Sequence, residues 1–231
     1  MFEISVEQTF LYHALATGVS GHITLPFEHT ITVQAPSALP FIGGYSTSRV
    51  EGYRYEHILS FDAAESSTTG SENREFFNTL ATATIERLNI QNVLTADRVV
   101  ARLASKYSKE TGERTTTFAG SHFENLRIAG CPIEVRIDPE RLNFSRLSDR
   151  ARFGTFAAPI SLERCYGLEV LEDGALHVLQ LGKVYLAECL STASFASISM
   201  LRVVLGCAVE GQLTAANASS NGEPMPGRGK P

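Results

Sequence analysis

Ile85-Glu86-Arg87-Leu88-Asn89-Ile90-Gln91-Asn92-Val93-Leu94-Thr95-Ala96-Asp97-Arg98-Val99-Val100 reads as an extended run, a polar break at Gln91-Asn92, and a second extended run. Apolar and β-branched residues on both sides of an Asn-containing break give strand, turn, strand. The first run carries a spacing of apolar, two others, apolar, one other, apolar, at Ile85, Leu88 and Ile90. The same spacing recurs at Val50, Tyr53 and Tyr55, at Phe123, Leu126 and Ile128, and at Leu176, Leu179 and Leu181. Hairpins laid into a sandwich produce such units, and so do the rungs of a solenoid; chance recurrence in a β-rich chain is the third reading. Rungs need a near-constant period. The units start 35, 38 and 53 residues apart, which favours the sandwich.

Upstream, Ile23, Leu25, Phe27, Ile31 and Val33 alternate with His22, Thr24, Glu28, Thr30 and Thr32, the period of half-buried strands. Breakers fall at Pro36, Pro40, Gly43-Gly44, Gly70, Gly112, Gly120 and Gly130. The expected fold is all-β: an antiparallel β-sandwich-like domain built from repeated strand-turn-strand units with one or two short connector helices, an irregular β-solenoid being the alternative. The connector helices are expected at residues 71–84 and 138–142, the latter with Asp138 as cap and Pro139 in the first turn. Residues 5–16, with a Ser5-x-x-Gln8 capping-box spacing, suit a short helix or a strand. Turn formers crowd residues 217–231. The expected divisions are an N-terminal segment at 1–16, an all-β domain at 17–212, and a terminal strand with a flexible tail at 213–231.

The composition bounds function. A chain of 231 residues, 43% apolar and 19% charged, has enough length to bury about two thirds of its unfolded surface, which argues against disorder and a fibrous repeat. Twenty Lys and Arg stand against 25 Asp and Glu, so no basic face for nucleic acid is expected. No apolar run approaches the ~18 residues of a membrane-spanning helix. The first basic residue is Arg49, which leaves the start without the basic region of a secretion signal. No nucleophile elbow, zinc-protease helix, phosphate loop or dinucleotide fingerprint occurs, and no cofactor is expected.

The densest polar and aromatic patch holds Tyr53, Tyr55, His57 and Asp62. Tyrosines alternating with charged groups stack on sugars or peptides, and a nearby His and Asp suit hydrolysis. The same pattern also describes the exposed face of one strand pair, with the two tyrosines partly covering the core. Cys131, Cys165, Cys189 and Cys207 have no Cys-x-x-Cys spacing, so no zinc site is expected. They read as four small buried side chains or, in an exported chain, as one or two disulfides. The six histidines, at 13, 22, 29, 57, 122 and 177, read as neutral structural groups rather than metal ligands.

The order of several segments resembles the choice-of-anchor P family of bacterial exported proteins. The segments are the Gly-x-Ile-x-Leu-Pro opening at 21–26, Thr-Ser-x-Val at 47–50, Ala-Thr-x-x-x-Leu-Asn-Ile at 83–90 and Leu-Thr-Ala-Asp-x-Val at 94–99. They continue with the hairpin-like run at 123–133, containing Gly130-Cys131-Pro132-Ile133, and Ala-Leu-His-Val at 175–178. The resemblance implies an exported or cell-surface β domain without an established activity. No secretion signal, sortase motif or membrane anchor accompanies it, and without export the expected setting is cytoplasmic.

These readings favour a non-catalytic exported or surface-associated structural or interaction domain over an enzyme, with a protein or glycan partner. The alternatives are a hydrolase with its site near residues 53–62 and an intracellular assembly subunit, a homo-oligomer built through strand edges.

Overall fold

The computed structural model describes residues 10–137, 152–155, 167–172, 174–192, 194–206 and 208–225. In chain order the strands begin with β1 (Phe10–Leu11), β2 (Ala14–Leu25), β3 (His29–Ile31), β4 (Ser37–Ala38), β5 (Gly44–Tyr55), β6 (Leu59–Glu72), β7 (Phe76–Ile90) and β8 (Leu94–Ser108). Four short ones follow: β9 (Arg114–Thr117), β10 (His122–Glu124), β11 (Arg127–Ile128) and β12 (Cys131–Pro132). The remainder are β13 (Arg152–Thr155), β14 (Leu168–Val170), β15 (Leu176–Val178), β16 (Gly182–Ser191), β17 (Ala196–Leu205), β18 (Glu210–Ser220) and β19 (Glu223–Pro224).

All pairings are antiparallel. Sheet I has the order β12-β11-β8-β7-β6-β5, with β9 and β10 also on β8. Sheet II has the order β14-β15-β16-β17-β18-β2-β3, with β13 also on β16 and β4 on β2. The sheets stack as a sandwich in which β2 faces β6 and β7, β18 faces β7 and β8, and β17 faces β8. Their inner faces share one core, with Val19, Ile23, Val203 and Leu213 from sheet II and Phe61, Ile85, Leu88 and Leu103 from sheet I. Each such side chain taken out of water contributes about 1.5–3 kcal/mol. Neighbouring strands that follow one another in sequence are joined by tight turns. Ile128 pairs with Cys131 across Ala129 and Gly130, both at positive φ, the two-residue turn that matches strand twist. The β7–β8 connection uses Gln91 and Asn92, also at positive φ.

The strand-turn-strand sandwich expected from sequence is therefore present, and among the described residues stacked solenoid rungs are not. The helix expected at 71–84 is absent: β6 ends and β7 begins inside it. Phe77, Thr79, Ala81 and Ala83 are buried at alternate positions, and that period of two overrides the helix-like start. The link between the strands is a turn in which Asn73 Oδ1 accepts from the N–H groups of Glu75 (2.9 Å) and Phe76 (2.7 Å). The helix expected at 138–142 lies outside the described residues. Among the described residues there is no helix. Of residues 5–16, those described form β1 and the start of β2. β2 and β18 pair from Ala14↔Ser220 to Glu210↔Leu25, so strands run across the divisions expected at 16 and 212.

The alternation at 23–33 is only partly a core pattern. Ile23 and Ile31 are buried, but Leu25, Phe27 and Val33 are exposed. Leu25 is the last residue of β2, and Phe27 and Val33 lie outside the strands, before and after β3; the Leu25-Pro26 bond between β2 and β3 is cis.

Candidate functional site

The recurring spacing has one backbone cause. In sheet I, each of the long strands has two successive outward positions between core-facing ones: Val50 to Tyr53, Phe61 to Ala64, Ile85 to Leu88 and Ala96 to Val99, with Phe123 to Leu126 in the same relation. These steps line up. Gly52 lies across from Asp62, between the pairs Glu51↔Ala63 and Tyr53↔Phe61. By the same reading of the ladders Asp62 lies across from Arg87, Arg87 from Asp97, and Asp97 from Asn125. Gly52, Arg87 and Asn125 hold the left-handed conformation, with φ of 66°, 50° and 49°. Gly and Asn tolerate it readily, and Arg87 does so at a cost of about 1 kcal/mol. The result is a polar ridge across sheet I in which Arg87 pairs with Asp62, and Asn125 donates to Asp97 at 2.6 Å. The fourth sequence unit is different. Leu179 is exposed at the β15–β16 turn, and Leu176, Val178 and Leu181 are the buried residues there.

Sheet II has the inverse step, two successive inward residues on each of its four long strands, β2, β16, β17 and β18: Gly18-Val19, Leu186-Ala187, Met200-Leu201 and Ala215-Ala216. These also align, since Ala187, Met200, Ala216 and Gly18 fall opposite one another between flanking ladder pairs. Ala187 and Ala216 take φ of 53° and 52°. All four are buried and small or pliable, because a Cβ on Gly18 would lie 2.9 Å from Ala64 Cβ and 3.0 Å from Gln34 O.

The four residues singled out at 53–62 do not converge. Tyr53 stacks on Phe61 (5.2 Å between centroids, 12° between planes) and packs against the core, where burial pushes its phenol above the usual range with a smaller contribution from Tyr55. Tyr55 also packs against the core and stacks on His29 at 4.4 Å. His57 is exposed in the β5–β6 turn, and Asp62 is on the opposite face, paired with Arg87. The tyrosines are therefore edge cover for the core. Among the described residues no group of three or more His, Cys, Asp or Glu side chains could hold a metal ion, and no helix is long and apolar enough to cross a membrane.

The cysteines divide. Cys131, next to the Ala129-Gly130 turn, is disulfide-bonded. Cys189 is a free, buried thiol on β16, 3.6 Å from Ala187 O, and burial pushes its pKa up to about 12. Cys165 and Cys207 lie outside the described residues.

A concave surface that sequence did not single out lies on the outer face of sheet II. A cavity of about 300 Å³ is lined by two cross-strand rows, Leu15-Ser219-Ser197-Leu190 and Thr17-Asn217-Ser199-Glu188. Asn217 Nδ2 donates to Thr17 Oγ1 at 3.3 Å. Arg202 donates to both Glu188 oxygens at 2.7 and 2.6 Å while its guanidinium sits 3.6 Å from the Tyr185 ring centroid. The carboxylate accepts these hydrogen bonds and holds Arg202 above its usual range. Ser199 Oγ is buried and has no hydrogen-bond partner. The signal in sequence was the alternation of Ser, Thr and Asn with apolar residues in β17 and β18, but their meeting depends on ladder registers linking residues up to 204 apart, as in Leu15↔Ser219.

A family model described as a domain of unknown function (DUF8256) matches residues 10–151. The chain belongs to this family. No curated protein and no solved structure matches it. The DUF8256 match contains all of sheet I and the strands β1 to β4, and it ends before β16, β17 and β18. The ridge thus lies within the DUF8256 residues, while most of the lining of the sheet II cavity comes from strands after them.

Proposed function

We propose that this chain is a non-catalytic, exported or surface-associated interaction domain. The observation that carries the reading is the disulfide at Cys131, since such bonds persist in oxidising compartments and are rare in reducing ones. The resemblance to exported choice-of-anchor P domains supports the same setting. The divergence of Tyr53, Tyr55, His57 and Asp62 supports binding rather than hydrolysis, because nucleophile and base must lie within hydrogen-bond reach of one another. The open edge at β5 carries Arg49, Glu51 and Arg54 and a break in its alternation at Gly52, features that discourage strand-to-strand assembly of identical copies. Arg49 is further engaged by Glu51 at 2.9 Å and Glu65 at 3.0 Å.

Alkylation of the unreduced, denatured protein followed by mass measurement tests the setting. One disulfide uses two of the four cysteines, so no more than two thiols should react before reduction and all four after it. Four reactive thiols in the protein recovered from its native host would overturn the exported reading.

A further inference from the structure

We propose that the hollow on the outer face of β2, β18, β17 and β16 binds one neutral, hydroxyl-rich ligand of monosaccharide size. This rests on the binding-domain reading above and adds a site and a ligand class to it. The volume of about 300 Å³ is at the small end of ligand sites, too small for a folded partner to fill and sufficient for a single sugar ring. The lining is dense in groups that can both donate and accept: the hydroxyls of Thr17, Ser197, Ser199 and Ser219 and the amide of Asn217. Asn217 uses one N–H on Thr17, leaving its carbonyl oxygen to accept from a ligand hydroxyl.

Ser199 Oγ is the strongest pointer. A buried hydroxyl without a partner costs about 1–3 kcal/mol, and turning Ser199 about χ1 into the hollow to meet a ligand hydroxyl removes that penalty. Charge selects against ions. Among the described lining residues, the only ionisable side chain that could face the ligand as a charge is Glu188, and Arg202 already neutralises it through two hydrogen bonds, backed by Tyr185. An anion would meet that carboxylate and a cation would have to compete with Arg202, whereas a neutral polyol meets neither obstacle. Leu15 and Leu190, at the two ends of one row, offer apolar walls to the C–H face of a ring.

Titration of the isotope-labelled full chain with glucose, galactose, mannose and N-acetylglucosamine, followed by amide chemical shifts, tests the site. At least one sugar should give saturable shifts centred on Thr17, Ser197, Ser199, Asn217 and Ser219. The corresponding disaccharides separate the sources: tighter binding of a disaccharide indicates a glycan terminus, and equal binding indicates the free sugar. Ser199→Ala should keep the unfolding midpoint, since it removes an unpartnered hydroxyl, yet weaken binding about tenfold. Asn217→Leu should do the same to binding, and Ser199→Thr should retain it. No saturable shift with any of these sugars, or binding unchanged in both Ser199→Ala and Asn217→Leu, overturns the site. The thiol count of the preceding section is untouched by either result, so the site can fail while the exported reading stands.

Discussion

The two sheets use one backbone device with opposite chemistry. Sheet I advances two residues outward at Gly52, Asp62, Arg87, Asp97 and Asn125, and all of these places except Gly52 are filled by charges and an amide that satisfy one another in pairs. Sheet II withdraws two residues inward at Gly18, Ala187, Met200 and Ala216, and the inward places are filled by residues small or flexible enough to fit among buried neighbours. In both, alternate strands take the left-handed conformation, at φ of 49° to 66°. The face to which the extra residue points decides what it must be: solvent accepts almost any polar group, but a close-packed interior accepts little change of volume.

The largest effects are expected in the inward row. Gly18→Val pushes methyl groups against Ala64 and the Gln34 carbonyl, and Met200→Ala leaves a hole at a fully buried position. Each should cost about 2–4 kcal/mol in equilibrium urea unfolding. Losses below about 1 kcal/mol for both would mean that this row is not close-packed.

Next in size is the pH response of Cys189, the neighbour of the inward step on β16. Burial pushes its folded pKa up to about 12, above the 9.0 of an unperturbed thiol. The unfolded thiol therefore ionises first, so the contribution is intact below pH ~9 and is lost as pH rises towards 12, with a slope of up to about 1.4 kcal/mol per pH unit. Wild type and Cys189→Ala should differ in their alkaline stability slopes and agree near neutrality. Identical slopes would place the thiol in solvent.

A smaller change is expected where sheet II meets water. Glu188→Ala leaves Arg202 half-buried over Tyr185 without its carboxylate, and a loss of about 1–2 kcal/mol is expected by thermal unfolding. Smallest is the ridge. Asp62→Ala removes an exposed ion pair and should change stability by less than about 1 kcal/mol.

Much of this architecture was legible in residues 85–100. The apolar spacing and the Gln91-Asn92 break identify a hairpin, and the same spacing at Val50 and Phe123 marks strands of the same sheet. The spacing did not reveal that it records an outward step, because a loose apolar pattern is equally compatible with chance, and its fourth occurrence at Leu176 was chance. The stretch at 71–84 misled because an Asn-rich start with Glu75, Phe76 and Phe77 resembles a helix start, whereas Phe77 to Ala83 is decided by its place between β6 and β8. The aromatic patch at 53–62 looked like a site because sequence cannot say which face of a sheet a side chain takes. The sheet II hollow was illegible for a different reason: Leu15 and Thr17 meet Asn217 and Ser219 only through pairing of strands from opposite ends of the chain.

Arg87 and Ala216 have nearly the same backbone conformation, φ 50° and 52°, and differ in the face they occupy. Asparagine suits that conformation at either place. Arg87→Asn and Ala216→Asn, compared by equilibrium urea unfolding under one set of conditions, therefore separate conformation from burial. If the outward and inward steps are as described, Arg87→Asn stays within about 1 kcal/mol of wild type and Ala216→Asn, which buries an amide in the core, loses about 3 kcal/mol or more. Equal losses at the two positions would contradict the opposition of ridge and core row.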